Sequence, residues 1–357
     1  MNAKVTMQDI ADHVGMSKFA VSKALSGKGG VKPETRDRIV QAAIQLGYKF
    51  PARDAAAADV IQAPVYEGKS VNINKQVIIL VPNVRFQTRQ SYYWGRIIEG
   101  AQEELDERGI GSMLVTEQIT SQFSTMINPR GVMGLIGVGL ISYPSLLEIR
   151  NLGIPMVLID HEEPLIPTDV LSMNNFEWMR RIVHYVIGLG HRNLQFVGNL
   201  SYSRSFYDRW FGFRSMLEEH GLEASGQHDG LLTVRGHNRS EMTEALEPML
   251  QELAREGRMP TAFSCANDSI AMCVMTLLAR MGISVPGDVS VTGFDDIQDA
   301  ALSSPTLTTV HVHKHGMGRR AVEALLRRAE QPANPVEKVL LTGELVIRRS
   351  TAASPRL

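Results

Sequence analysis

The chain has 357 residues, 44% of them apolar, a formal net charge of −1 and two cysteines. That is room for two or three compact units of ordinary globular composition. No run approaches the roughly eighteen apolar residues of a membrane span, and the polar start from Asn2 has no secretory h-region. Cys265 and Cys273 have neither zinc spacing nor a reactive-thiol setting, so two reduced thiols and a cytoplasmic location are expected.

The first predicted element is a short helix over Met7–Val14. Thr6 is its N-cap, Asp9 stands three residues on as in a capping box, and Ile10 and Val14 are spaced i, i+4. Gly15-Met16-Ser17 reads as a tight turn, with Gly15 free to take positive φ and Ser17 placed to cap a second helix. That helix puts Val21, Ala24 and Leu25 on one face and Lys18, Phe19, Ser22 and Lys23 on the other. Two short helices about a glycine turn form a helix-turn-helix, whose second helix enters the DNA major groove. A third helix, from Pro33 to the stop at Gly47, carries Ile39, Ala42, Ala43 and Leu46 as the lid of a three-helix core. Residues 1–50 hold eight Lys/Arg against four acids, so this end is +4 and the remainder −5. A basic end on an acidic body points to phosphate contact by one segment, and a Phe19 exposed among lysines has little structural purpose.

The residues Val5-Thr6-x-x-Asp9-Ile10-Ala11, Gly15-Met16-Ser17, Val21-Ser22-Lys23-Ala24-Leu25-Ser26-Gly27, Val31, Glu34-Thr35-Arg36 and Leu46-Gly47-Tyr48 together resemble the headpiece of the lactose-repressor (LacI/GalR) family of bacterial transcription regulators. The resemblance implies contact with double-stranded operator DNA through Thr6, Ser17, Lys18, Phe19, Ser22, Lys23 and Lys28. Lys18 and Phe19 would read bases, while Ser17, Ser22, Lys23 and Lys28 lie nearer phosphate. In the family a hinge helix follows and a leucine wedge parts a base step in the minor groove. This chain departs from that pattern over 51–76. Ala52 replaces the usual asparagine, the leucine is missing from its place, and a long Pro/Gly-containing connector follows. Val60 and Ile61 are the remaining wedge candidates. The expectation is weak operator bending and a ligand coupling nearer 1 than 3 kcal/mol, roughly.

From Val77 strands and helices alternate: Val77–Val81, a helix over Ser91–Arg108, then Ser112–Val115, Gly134–Val138 and Met156–Ile159. A helix over Phe176–Leu189 opens a second series: strands at Leu194–Val197, Leu231–Val234, Thr261–Ala266 and Val289–Gly293, and helices at Tyr207–His220, Ser240–Glu256 and Asp268–Met281. Such a text implies parallel sheets covered on both faces. With the headpiece, the fold class is an N-terminal all-α helix-turn-helix headpiece plus an α/β, two-lobed, periplasmic-binding-protein-like regulatory core, as the resemblance also implies. The expected domains are 1–50, a hinge over 51–76, and a core over 77–350. One lobe is 77–172 plus 314–341 and the other 173–295 plus the C-terminal strand. Leu307–Val312, Gly316–Ala329 and Val339–Arg348 are expected to cross between them.

Ligands of open α/β sheets collect beyond the carboxyl ends of strands. Asn83, Asp160, Asn267-Asp268 and Asp295-Asp296 stand at four such ends. The resemblance implies that Arg209, Asp295 and Asn267 bind the effector and that Tyr93 and Trp94 pack on it. Asp160 is either a ligand group or a loop hydrogen bonder, Trp94 either a ligand platform or core, and Asp268 is expected to cap its helix. Carboxylates, a bidentate arginine and an aromatic suit a hydroxyl-rich small molecule, so a carbohydrate effector is expected. His311, His313 and His315 would share a strand face, but no further ligand joins them, and no metal or other cofactor is implied. The Asp295-Asp296 pair lies on one chain with no nucleophile motif or phosphate loop nearby, so no enzyme is expected. The whole reads as a homodimeric repressor set by a small ligand. The alternatives are a sugar sensor without DNA contact and a regulator controlled by a protein partner.

Overall fold

The computed structural model describes residues 6–25, 35, 39, 42–43, 76–82, 93–116, 131–222, 231–236 and 238–355. The chain divides into two compact units, Met1–Lys69 and Ser70–Leu357. In the first, α1 (Met7–Val14) carries the expected capping box at Thr6 and stops at Gly15, which takes φ +67°. The helix α2 (Lys18–Leu25) follows, and the Ala20 amide donates to Ser17 Oγ at 3.3 Å. Residues 35, 39, 42 and 43 are helical. Ile39, Ala42 and Ala43 close a small core with Ile10, Ala11, Val21 and Ala24. Lys28, Leu46, Asn83 and the connector up to residue 75 lie outside the described residues.

The second unit is built on two parallel sheets. The first has the order β11-β5-β4-β3-β1-β2, from β1 (Gln76–Leu80), β2 (Gly111–Val115), β3 (Val132–Val138), β4 (Met156–Ile159), β5 (Asp169–Met173) and β11 (Lys338–Leu341). Helices α3 (Trp94–Glu107), α4 (Tyr143–Asn151) and α10 (Lys314–Glu330) belong to it, α10 lying on α3 and across β3, β4 and β5. Successive strand residues point to opposite faces. Accordingly Val77 and Ile79 enter one apolar cluster, and Ile78 and Leu80 the other. The second sheet has the order β7-β6-β8-β9, from β6 (Leu194–Gly198), β7 (Leu231–Thr233), β8 (Ala262–Cys265) and β9 (Ser290–Thr292). Helices α5 (Asn175–Gly188), α6 (Arg204–Glu219), α7 (Arg239–Arg255), α8 (Asp268–Arg280) and α9 (Gln298–Leu302) accompany it. A small antiparallel pair, β10 (Thr309–Val312) with β12 (Gly343–Val346), completes the unit.

The chain passes between the lobes three times: at Asn174 between β5 and α5, at His313 between β10 and α10, and at Thr342 between β11 and β12. The crossings lie together. A Cβ on Gly343 would overlap Met173 Cε and come close to the His311 carbonyl, and Trp178 Nε1 donates to Thr342 Oγ1 at 3.3 Å. The segment Val339–Arg348, expected to cross between the lobes, holds two strands in different sheets, β11 and β12, broken at Thr342-Gly343. The helix expected from Ser91 begins at Trp94. Helix α4 and strand β5 were not expected. The latter interrupts its apolar residues with Asp169 and Ser172, of which Asp169 is buried against Arg328 (2.8 Å). Among the described residues no helix is long and apolar enough to cross a membrane.

Candidate effector site and DNA-reading helix

Helix α2 offers its first turn outward. Ser17 and Lys18 are exposed, and the Phe19 ring is 76% exposed, while Ser22 and Lys23 are half-buried. The Thr6 hydroxyl is occupied locally, donating to Asp9 Oδ2 at 2.8 Å. Hydrogen bonds from the Thr6 amide and hydroxyl hold the Asp9 carboxyl below its usual range. The first turn of α2 thus presents an exposed cation and an exposed apolar ring side by side in sequence, a chemistry that suits phosphate and base edges.

The effector candidates converge in the larger unit, where Arg209 is the largest fully buried side chain among the described residues. Its Nε donates to Asn175 Oδ1 at 2.9 Å and Nη1 to the Ala266 carbonyl at 2.6 Å. Its guanidinium lies 3.7 Å from the centroid of the Phe294 ring. Nη2 stands 3.0 Å from Asp295 Oδ1, an ion pair that leaves this buried oxygen without a well-directed hydrogen bond among the described residues. Asp160, from the end of β4, is buried within reach of the same guanidinium and accepts from Ser205. Burial, opposed by Arg209 and Ser205, pushes its carboxyl up to about 6. Asp295 is pushed up by burial as well, against the pull of Arg209 and Lys314. The Tyr93 hydroxyl is buried without a well-directed hydrogen bond. Burial and the charges of Asp160 and Asp295 hold it well above the ordinary tyrosine range.

Asp160 (φ 57°), Asp295 (φ 109°) and Asp296 (φ 50°) are the non-glycine residues with positive φ among the described residues. Such backbone persists where the surroundings over-determine it, and functional sites collect it. Here the surroundings are explicit. The buried Lys314 ammonium donates to the carbonyls of Asp295 and Asp296, and Asp296 accepts from Arg348 Nη2 at 2.6 Å and His311 Nδ1 at 2.9 Å.

The remaining candidates sit differently. Trp94 is in the main core cluster, edge-on to Tyr93 at 4.8 Å. Asn267, and not Asp268, caps α8, accepting from the Ile270 amide at 2.9 Å. Asp268 is the first residue inside that helix, fully buried, and accepts from Thr309 Oγ1 at 2.6 Å and the Ile297 amide at 2.9 Å. The three histidines each meet a separate carboxylate, Asp296, Glu344 and Glu103. Asn175, Ser205 and Lys314 went unrecognised as site residues in the sequence. Phe294 alone had a local signal, as the residue preceding Asp295.

Burial and the Asp295 charge push Asp268 up to about 8. A folded-state value above the ordinary 3.8 means stability present at low pH and lost as pH rises through 8, at a slope of up to about 1.4 kcal/mol per pH unit. Asp268→Asn can keep both hydrogen bonds, because the Thr309 hydroxyl can turn to accept. Urea unfolding at pH 5, 6.5 and 8 should show the wild type falling more steeply than the variant.

Comparison with known proteins places both units. Residues 6–50 match the sequence profile described as bacterial regulatory proteins, lacI family. Residues 183–351 match that of a periplasmic binding protein-like domain. The chain is 24% identical over 359 residues to the HTH-type transcriptional regulator DegA of Bacillus subtilis, covering 98% of each. Its fold is similar to that of the transcriptional regulator CelR in complex with cellobiose (TM-score 0.67, 20% identity, 97% of this chain and 100% of that one). It is likewise similar to that of the Lac repressor dimer bound to operator and the anti-inducer ONPF (TM-score 0.64, 20% identity, 98% and 100%).

Proposed function

Because the chain belongs to the LacI/GalR family of bacterial transcription regulators, we propose that it is a homodimeric operator-binding repressor whose DNA affinity is set by a small carbohydrate between its lobes. It is a regulator and not an enzyme. The observation that carries the effector reading is a buried arginine shared by two carboxylates, Asp160 on one lobe and Asp295 on the other. Beside them the Asp295 oxygen and the Tyr93 hydroxyl are buried and short of partners. A polyol supplies donors and acceptors to both. Asn267 keeps its amide nitrogen for the ligand, and Trp94 backs the Tyr93 ring. That CelR was solved with cellobiose and the Lac repressor as a dimer on its operator supports the same arrangement here. We assign the headpiece to 1–50, the hinge to 51–76, the two lobes to 77–350, and the protein to the cytoplasm.

Thr6, Ser17, Ser22, Lys23 and Lys28 hold the phosphates, and Lys18 and Phe19 read bases. In a selection from random DNA, a Lys18→Ala, Phe19→Ala protein should lose the wild-type site preference, each base contact being worth about 1–3 kcal/mol. An unchanged preference would remove α2 as the reader. For the effector, a thermal-shift screen of sugars should give a ligand whose affinity falls one to two orders of magnitude in Asp295→Ala, as expected for the loss of a charged hydrogen bond. An unchanged affinity would remove the cleft assignment.

A further inference from the structure

The cleft assembles its charges from both lobes, and the sum is unbalanced. Asp160 comes from the end of β4 in the first sheet. Asp295, Arg209, Ser205 and Asp208 come from the second-sheet lobe, on α6 and after β9. With the lobes together Asp160 and Asp295 are only 7% and 6% exposed and share one guanidinium whose Nε and Nη1 are already given to Asn175 and the Ala266 carbonyl. Of the other groups facing the pair, one adds to the negative charge, two are neutral below pH 8, and one is cationic. Asp208 on α6 adds a negative charge against Asp160, and Tyr93 on α3 brings a neutral hydroxyl. Asp268 on α8 lies close to Asp295. Lys314 on α10 attracts Asp295, yet its ammonium is spent on main-chain carbonyls and makes no ion pair among the described residues.

We infer that the approach of the two lobes is coupled to uptake of a proton by the Asp160–Asp295 carboxylate pair, so that the ligand-free protein itself is a pH-sensitive hinge. Two buried carboxylates that face one arginine, of which only Nη2 is turned to Asp295, cannot both stay ionised without opposing closure. With the lobes apart, water reaches Asp160 and its carboxyl returns towards the ordinary 3.8; with the lobes together it lies at about 6. Between those values the closed arrangement binds a proton that the open one releases. Closure is therefore favoured as pH falls and weakened as pH rises through 6. That difference in proton affinity changes the closed-to-open ratio by about a hundredfold across the window.

The full chain can report this without any effector. Dyes on Arg150→Cys in α4 and Gln251→Cys in α7 place one fluorophore on each lobe, while native Cys265 and Cys273 are buried. Interlobe energy transfer should be higher at pH 5 than at pH 8, the closed-to-open ratio changing by about tenfold between them, with the fall lying between 3.8 and about 6. In Asp160→Asn the change should vanish and the high-transfer state persist at pH 8. Should that variant not fold, Asp208→Asn, which removes a neighbouring charge and keeps an oxygen to accept from Arg204 Nε (2.7 Å), should move the midpoint to lower pH. A transfer efficiency equal at pH 5 and 8, or a midpoint unmoved in Asp160→Asn and in Asp208→Asn, overturns the inference. Neither result bears on whether sugars bind the cleft.

Discussion

Replacing Arg209 with alanine should destabilise the regulatory core by about 3–5 kcal/mol at neutral pH, the range for stranding a buried charge. The side chain is 2% exposed, and its removal leaves Asp295 and Asp160 buried with no guanidinium. It also strips donors from Asn175 Oδ1 and the Ala266 carbonyl, and takes the cation from the face of Phe294. The loss should depend on pH in a definite direction. Once the carboxylates are protonated there is no anion to strand, so the deficit should shrink towards pH 5. Adding Asp295→Asn should restore part of the loss at pH 7, and less of it as pH falls. Urea unfolding of the two variants at both pH values measures all four numbers. A loss under about 1 kcal/mol would mean that water reaches the site.

Gly318→Ala should cost about 3 kcal/mol, the upper end of the overpacking range, although alanine is the better helix former by roughly 0.8–1 kcal/mol. Helices α3 and α10 cross backbone to backbone. A Cβ on Gly318 would overlap the Ile97 carbonyl oxygen and the Ala101 nitrogen, and one on Gly100 would overlap the His315 carbonyl. Main chain on both sides has nowhere to move. Separating the helices would also pull apart Arg319 from Glu107 (2.6 Å) and His315 from Glu103 (2.7 Å). Calorimetric unfolding should place the variant's Tm several degrees below that of the wild type. A raised Tm would show that helix propensity outweighs the clash.

The headpiece was legible because its signals are local. A cap, a turn glycine and an i, i+4 pair specify α1 and α2 within twenty residues, and the structure repeats them bond for bond at Thr6, Gly15 and Ser17. The buried strands were legible for a related reason, since parallel strands covered on both faces write uninterrupted apolar runs such as Val77 to Leu80. Strand β5 was not, because Asp169 is reconciled to burial by Arg328 and the Glu337 amide, 159 and 168 residues away. The site was half legible. Asp160, Arg209 and Asp295 lie at strand ends or in a matching motif. Ser205 and Lys314 serve by reaching across the lobes and Asn175 by meeting Arg209 from a neighbouring helix, and no spacing in the chain records such meetings. Asp268 was misread for a subtler reason: Asn267 and Asp268 are both good caps, and the choice between them was made by Thr309 and Ile297, which draw the aspartate inward.

The three adjoining crossings also govern how the molecule is made. The first sheet is completed by β11 at residues 338–341. The second is tied off where the Val291 amide donates to the Ser350 carbonyl at 2.8 Å. On a ribosome, then, neither lobe can finish until nearly the whole chain has emerged, and the first lobe must wait with an open sheet edge at β5 while the second is being synthesised. An emerging polypeptide in that condition is a natural client for chaperones. The same wiring decides what recombination can exchange between relatives. The headpiece travels as one continuous cassette, whereas either lobe can be transplanted only by cutting the gene at all three crossings at once.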